Sequence, residues 1–167
     1  MKLLRYGPAG KEKPGLLDSN GKIRDLSRVI DDIDGATLSP ASLGKIAKLN
    51  EKRLPLVKGR PRLGPPVVAR RTFAIALNYA LHAKEAGVKV PSEPLVFTKT
   101  CPLTGPRDPI VLPKGSKKTD WEIVLCLVIG RKTRHVSKRD ALKYVAGYAT
   151  GNEVSERAFL LEHGGLQ

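Results

Sequence analysis

The chain has 167 residues, 41% of them hydrophobic, which suits one folded domain with at most a small additional module and excludes wholesale disorder. The net charge of +14 makes a basic module that binds nucleic acid one interpretation. However, the basic residues are scattered, aromatic residues make up only 5%, and no zinc-finger, RNP-like or basic-zipper pattern is present. Composition therefore disfavours nucleic-acid binding.

The two cysteines, Cys101 and Cys126, are too few for a disulfide framework, so we expect both to be reduced thiols. The opening residues carry too short an apolar run for a signal peptide, and no stretch is long enough to span a membrane. These observations together predict a cytoplasmic protein.

The first part of the chain predicts a small α+β module. A strand is expected over residues 3–6 and a hairpin over 15–27, because Asn20 and Gly21 form a strong type I′ turn signal. Ser39 and Pro40 then predict the start of a helix. Residues 54–66 hold four prolines and two glycines, a composition typical of a linker. We therefore predict one domain over residues 1–65 and a second over 66–167.

The second domain is predicted to be rich in strands. Strands are expected over residues 73–77, 95–99, 110–112, 119–130 and 145–152. Ser137 is expected to begin a helix that includes Val145, and residues 155–162 should be helical as well.

Two acidic residues need an explanation. Glu122 lies in a run apolar enough to be a strand buried on both faces, where an unpaired carboxylate is costly, and Glu153 closes the following strand. Carboxylates at the ends of neighbouring strands can hold a hard cation such as Mg²⁺, Mn²⁺ or Ca²⁺. The alternative is that Glu122 sits at an exposed strand start and Glu153 caps a helix.

A second candidate pair follows the strand at 73–77. His82 and Glu85 are three residues apart and share a face if the segment is helical. A carboxylate beside an imidazole can orient the ring as a base that activates water or takes a proton. A charge pair on a helix surface is the alternative.

Five stretches in this order resemble the first half of the catalytic domain of the fumarylacetoacetate hydrolase family: FAIALNYALHAKEAG, PLVFTK, GPRDPIVLP, TDWEIVLCLVIG and YVAGYATGNEVSERAF. The opening MKLLRYGPAGKEKPGLLDSNGKIRDLS resembles the small N-terminal domain of the same family. The resemblance implies an α+β fold, in which the small module precedes an incomplete mixed β-barrel or β-roll. Since the family continues with further barrel strands, we expect this chain to be a truncated or frameshifted fragment.

The resemblance also implies roles for particular residues. His82 and Glu85 match the positions of the family's catalytic pair, and Lys99 and Arg157 match positions that contact substrate. Glu122 and Glu153 match metal-binding positions, which implies a divalent cation, Mg²⁺ or Mn²⁺.

The sequence departs from the family pattern at the site itself. Val124 stands where the family has a second metal-binding Glu, and Glu153 replaces an Asp, so we expect metal binding to be weakened. Leu160 replaces a Gln that contacts substrate, and Leu81 replaces a polar residue beside His82.

The implied function is metal-dependent C–C hydrolysis, isomerisation or decarboxylation of oxo-dicarboxylic acids in aromatic or small-acid catabolism, weakened or abolished by the truncation and Val124. A small oxo-acid substrate and a homodimer are the implied partners. A non-catalytic remnant that binds a partner is the alternative, followed by a basic module for nucleic acid.

Overall fold

A computed structural model describes residues 1–162. The chain begins with a three-stranded antiparallel sheet in the order β1-β2-β3, whose strands are Lys2–Tyr6, Lys13–Leu17 and Ile23–Asp25. The strand expected at 3–6 and the hairpin expected at 15–27 are confirmed. Helix α1, Pro40–Ala47, follows, and the Ser39 hydroxyl accepts a hydrogen bond from the Ser42 N–H at 3.3 Å.

The turn of the hairpin is not type I′. Gly21 is left-handed with φ 71°, but Asn20 is not, and the Gly21 N–H donates to the Asp18 carbonyl at 2.9 Å. This is a type I turn followed by a left-handed glycine. The buried Asp18 carboxylate selects it by accepting from the N–H groups of Asn20 and Lys22. The Lys22 N–H holds the pKa of Asp18 below its ordinary value.

The hydrophobic core lies between the first sheet and α1. Leu16, Leu26 and Ile46 form its centre, and partly buried leucine and isoleucine side chains surround them. Two isolated bridges attach the proline-rich segment 54–66 to both edges of the sheet, Leu56 to Arg24 and Leu63 to Tyr6. The domain boundary at residues 65 and 66 stays a prediction.

The rest of the described chain forms three two-stranded antiparallel sheets, two short α-helices and a 3-10 helix. Strand β4 pairs with β5, β6 with β9, and β7 with β8. The elements are β4 Thr72–Ala76, α2 Ala80–Glu85, β5 Leu95–Lys99, β6 Thr119–Asp120, β7 Ile123–Ile129, β8 Val145–Asn152, β9 Ser155–Glu156 and α3 Arg157–Leu161.

Four predictions about these elements are wrong. No strand forms over residues 110–112, because Pro109 and Pro113 bracket a run whose Val111 is 86% exposed and has no neighbouring strand. The strand expected over 119–130 is interrupted between β6 and β7. The helix after Ser137 is a 3-10 helix, Lys138–Tyr144, and Val145 already belongs to β8. The helix expected from residue 155 begins at Arg157, because β9 precedes it.

Strand β7 is also not buried on both faces. Its residues alternate, and the side chains of one face are each at least half exposed: Ile123, Leu125, Leu127 and Ile129. The expectation failed because within residues 1–162 no element packs on that face, although the composition of the strand suits burial.

The fold class is α+β, as expected, and the strands of residues 1–162 do not close into a barrel. The two parts of the chain touch at glycines. A Cβ on Gly130 would lie 2.4 Å from the Leu38 carbonyl oxygen, so only glycine allows this backbone approach. No helix within the described residues is long and apolar enough to cross a bilayer.

Candidate functional site

A strained turn and a buried alanine fix the position of helix α2. Between β4 and α2, Leu77 adopts φ 51°, a left-handed conformation that is costly for a bulky side chain. Ala83 is fully buried and fixes the inner face of the helix. His82 and Glu85 both project into an open groove beside it.

This groove has a volume of about 850 Å³. It gathers four of the six residues predicted for the site, His82, Glu85, Glu122 and Arg157. The other lining residues are Tyr79, Ala86, Asp120, Trp121, Ile123, Val124, Leu125 and Thr150. One surface of the groove is therefore the end of α2, and the other is the junction of β6 and β7 with α3.

His82 and Glu85 share the groove without touching. Both side chains are exposed, and within residues 1–162 no hydrogen bond or ion pair joins them. The helical spacing predicted their common face. The carboxylate nevertheless does not orient the imidazole directly.

The strand pairing places Glu122 beside Glu153. Ile123 is paired with Asn152, and just before this pair the Glu153 N–H donates to the Glu122 carbonyl at 2.8 Å. The Asn152 side chain in turn accepts from the Glu122 N–H at 3.1 Å. The closeness of the two acidic residues therefore follows from the register of β7 and β8. Their carboxylates nevertheless bind different partners.

The Glu122 carboxylate is paired with Arg157. Arg157 Nη2 lies 2.9 Å from Glu122 Oε1, and Arg157 Nε donates to Asp120 Oδ2 at 3.0 Å. The Ser155 hydroxyl donates to the same Glu122 oxygen at 3.2 Å. Asp120 is a groove residue that sequence reasoning missed. Its position two residues before Glu122, in TDWE, was the available signal, since such spacing places side chains on one face of a strand.

The Glu153 carboxylate is paired with Lys99. Their Oε1 and Nζ atoms are 2.5 Å apart, and both side chains are more than two-thirds buried. Within the described chain, neither residue lines the groove that holds His82 and Arg157. Burial raises the pKa of the neighbouring Cys126 thiol, and the Glu153 charge adds to the increase. This thiol is therefore protonated at neutral pH and is not an activated nucleophile.

The acidic residue that caps helix α3 is not Glu153, the one that the sequence suggested. Glu156, not Glu153, is its N-cap, and its carboxylate accepts from the Ala158 N–H at 3.2 Å. The pKa of Glu156 is lower than its ordinary value, and the main cause is a hydrogen bond from the Ser116 hydroxyl. The interpretation of Glu153 as a helix cap is therefore wrong.

The residues present do not fit a divalent cation of the kind the family implies. Val124 lines the groove where a third carboxylate is expected, and it offers no oxygen. Glu122 and Glu153 already bind cationic side chains. Within residues 1–162 no group of three or more His, Cys, Asp or Glu side chains is arranged to hold a metal ion.

The chain resembles curated proteins over almost its whole length. The chain is 54% identical to a protein of Burkholderia orbicola named as a hydrolase, a match that covers 99% of this chain and 59% of the relative. The chain therefore spans about three fifths of the length of the curated relatives that it matches.

Two solved structures share the fold. A fumarylacetoacetate hydrolase from Exiguobacterium antarcticum is 26% identical with a TM-score of 0.77, over 98% of this chain and 59% of that one. A protein of Mycobacterium abscessus, described as a 2-hydroxyhepta-2,4-diene-1,7-dioate isomerase, is 27% identical with a TM-score of 0.73, over 98% and 56%.

The family comparison covers the groove itself. The model of the C-terminal domain of fumarylacetoacetate hydrolases matches residues 71–166, more than half of the chain, and this range includes α2, β7 and Arg157. The chain belongs to the fumarylacetoacetate hydrolase family.

Proposed function

We propose that the groove is the carboxylate-binding part of a hydrolase site for small oxo-acids. The observation that carries the proposal is that His82, Glu85 and Arg157 line one groove. A guanidinium group binds carboxylates well, because its donors match the two carboxylate oxygens.

Arg157 has donors left for a substrate. Its Nε donates to Asp120 and its Nη2 forms an ion pair with Glu122, and within residues 1–162 Nη1 donates no hydrogen bond to a protein group. The two carboxylates hold the guanidinium in place without using all of it. A substrate carboxylate bound at Nη1 would place the remainder of an oxo-acid in the groove beside His82.

His82 is the proposed general base. In hydrolysis of an acylpyruvate, its imidazole takes a proton from water while the water oxygen bonds to the carbonyl carbon of the acyl group. The bond between that carbon and the pyruvyl methylene then breaks, and its electron pair leaves on the pyruvate enolate, which accepts a proton. The products are a carboxylic acid and pyruvate.

Turnover by the isolated chain is expected to be slow or absent. Leu81 and Leu160 replace polar positions of the family, His82 lacks a bond to Glu85, and the groove is open to water. In isomerisation of a related diacid the same imidazole would move a proton from one substrate atom to another, and in decarboxylation it would protonate the enolate left when CO₂ departs. Catabolism of aromatic or small acids is the role we propose. The two free thiols support a cytoplasmic location.

Pyruvate binding tests the proposal without requiring turnover. Calorimetry should give saturable binding to the full chain, and Arg157→Ala should weaken it at least about tenfold. Arg134→Ala removes an arginine outside this groove and is the matched control. Absence of binding, or equal weakening in both variants, would overturn the proposal.

Acylpyruvate turnover is the companion measurement. His82→Asn should abolish any slow hydrolysis, because loss of a general base costs about 10²–10⁴-fold. His135→Asn is the control, since His135 lies at a separate cavity and asparagine tolerates its φ of 51°. Hydrolysis that survives His82→Asn would exclude His82 as the base.

A further inference from the structure

We infer that Arg157 and Lys99 neutralise the acidic residues of this site in place of a divalent cation, and that Asp120 is the residue that locks Arg157 into this role. The inference rests on the proposed function, because it concerns the same groove. It predicts a site that binds a carboxylate through protein cations alone and binds Mg²⁺ or Mn²⁺ only weakly.

Arg157 is held from three sides. Its backbone N–H donates to the Lys118 carbonyl at 2.9 Å, which fixes the start of α3 beside β6. Its side chain then bonds to Asp120 at 3.0 Å and to Glu122 at 2.9 Å. A planar guanidinium group that bridges two carboxylates is oriented by both, so removing either acid leaves the guanidinium less firmly oriented.

The two acids that bind the Arg157 side chain, Glu122 and Asp120, have different neighbours. Glu122 Oε1 accepts a hydrogen bond from the Ser155 hydroxyl and also forms the ion pair with Arg157. Asp120 lies on β6, whose backbone pairs with β9. The pairing of β6 with β9 sets Asp120 opposite Ser155, two residues before Arg157, so the strand register brings the two members of the ion pair close together.

Lys99 performs the equivalent task for Glu153. It is the last residue of β5, and its ammonium group lies 2.5 Å from the Glu153 carboxylate. Both side chains are largely shielded from water, which strengthens their attraction and makes either charge costly without the other. Glu153 is therefore committed to a cation that the chain itself supplies.

The charge balance leaves little attraction for a metal ion. Asp120, Glu122 and Glu153 contribute three negative charges, and Arg157 and Lys99 return two positive ones. A divalent cation would have to displace both side chains and would still find Val124 where it needs an oxygen. Mg²⁺ in particular tolerates few missing ligands.

Manganese titration tests the inference with a readout independent of turnover. Wild-type protein should show no saturable Mn²⁺ binding at micromolar concentration by calorimetry or paramagnetic resonance. Arg157→Ala frees Asp120 and Glu122 and should raise Mn²⁺ affinity at least about tenfold. Adding Val124→Glu to Arg157→Ala should raise it by about a further tenfold or more.

The controls separate this inference from folding defects and from the proposed function. Arg134→Ala should leave Mn²⁺ affinity unchanged, and Lys99→Met, which frees Glu153, should raise it by a route that does not disturb Arg157. Micromolar Mn²⁺ binding by the wild-type chain, or no gain in both Arg157→Ala and Lys99→Met, would overturn the inference. Pyruvate binding without the manganese gain contradicts this inference alone, whereas the gain without pyruvate binding contradicts the proposed function alone.

Discussion

The N-terminal region, residues 1–65, and the groove region, residues 66–162, bury their hydrophobic residues very differently. Eight hydrophobic residues of the described chain are buried, and seven of them lie in the N-terminal region. The eighth, Ala83, is the only one in the groove region, where the long apolar side chains of β7 are half exposed. The N-terminal region therefore has a core of its own, and within residues 66–162 the groove region has none of comparable size.

The contrast does not arise from composition. Strand β7 is as apolar as any part of the N-terminal core, but its sheet has only two strands and nothing packs on one face. An apolar side chain stabilises a fold only when another surface removes it from water. We conclude that the N-terminal region supplies most of the stability, whereas the groove region holds the proposed site.

Truncation of one leucine in each region should give the largest difference. Leu26→Ala removes a side chain that is 0% exposed, so we expect a loss of about 2–5 kcal/mol in the free energy of unfolding. Leu125→Ala makes the same change at a side chain that is 56% exposed and should cost no more than about 0.5 kcal/mol. Urea denaturation followed by circular dichroism measures both values at protein concentrations low enough for the chain to be monomeric. Equal losses would show that β7 is covered within the monomer.

The exposed face of β7 should drive self-association. We propose a homodimer or larger assembly formed through Ile123, Leu125, Leu127 and Ile129, because an uncovered apolar sheet face beside an unpaired strand edge favours pairing with another chain. Leu125→Lys should weaken association at least about tenfold in sedimentation velocity. Since the net charge of +14 opposes association, added salt should strengthen it in the wild type.

Leu142→Lys is the matched control for association. Leu142 is also well exposed, but it lies on the 3-10 helix outside this sheet face. The Leu142→Lys substitution should change the dissociation constant by no more than about twofold, since one exposed leucine contributes little to association. A wild-type monomer at all salt concentrations, or equal effects of the two lysine substitutions, would remove the proposed interface.

A smaller effect is expected at Arg62, which forms one ion pair within the N-terminal region and one with the groove region. Arg62 binds Glu12 at 2.8 Å and Asp108 at 2.5 Å, and it holds the pKa of both carboxyl groups below their ordinary values. Such pairs stabilise the folded state fully above about pH 4, the ordinary pKa of Asp and Glu, and the stabilisation is lost as pH falls through the lowered values.

Arg62→Met should therefore lower the thermal midpoint by several degrees at pH 7, and the difference from wild type should shrink below about pH 4. Arg60→Met is the control, because Arg60 is exposed and has no ion pair within the described residues. A difference between Arg62→Met and wild type that persists unchanged to pH 2.5 would show that these pairs do not carry the effect.

The sequence predicted local elements well where a short-range signal fixes them. Ser39 and Pro40 began α1, and β5 and β8 have the expected bounds, because capping and strand periodicity act within a few residues. The strand expected at 110–112 failed because a strand also needs a partner, which no local signal supplies. The I′ turn failed because the side chain of Asp18 selected another geometry.

The residues of the candidate groove were predictable, but the bonds between them were not. The family resemblance named His82, Glu85, Glu122 and Arg157, and the structure places all four in one groove. The resemblance did not predict the partners of their charges, because the pairing of Glu153 with Lys99 depends on how separate sheets lie in space. Asp120 was overlooked because its contact with Arg157 spans 37 residues.

Hydrogen exchange tests the contrast between the two regions most directly. In the monomeric Leu125→Lys variant, amides of β1, β2 and α1 should exchange only through global unfolding, because the buried core protects them. Amides of β7 and β8 should exchange at least about a hundredfold faster, through local opening. Equal protection of β7–β8 and of the N-terminal sheet would contradict the conclusion that stability resides in the N-terminal region.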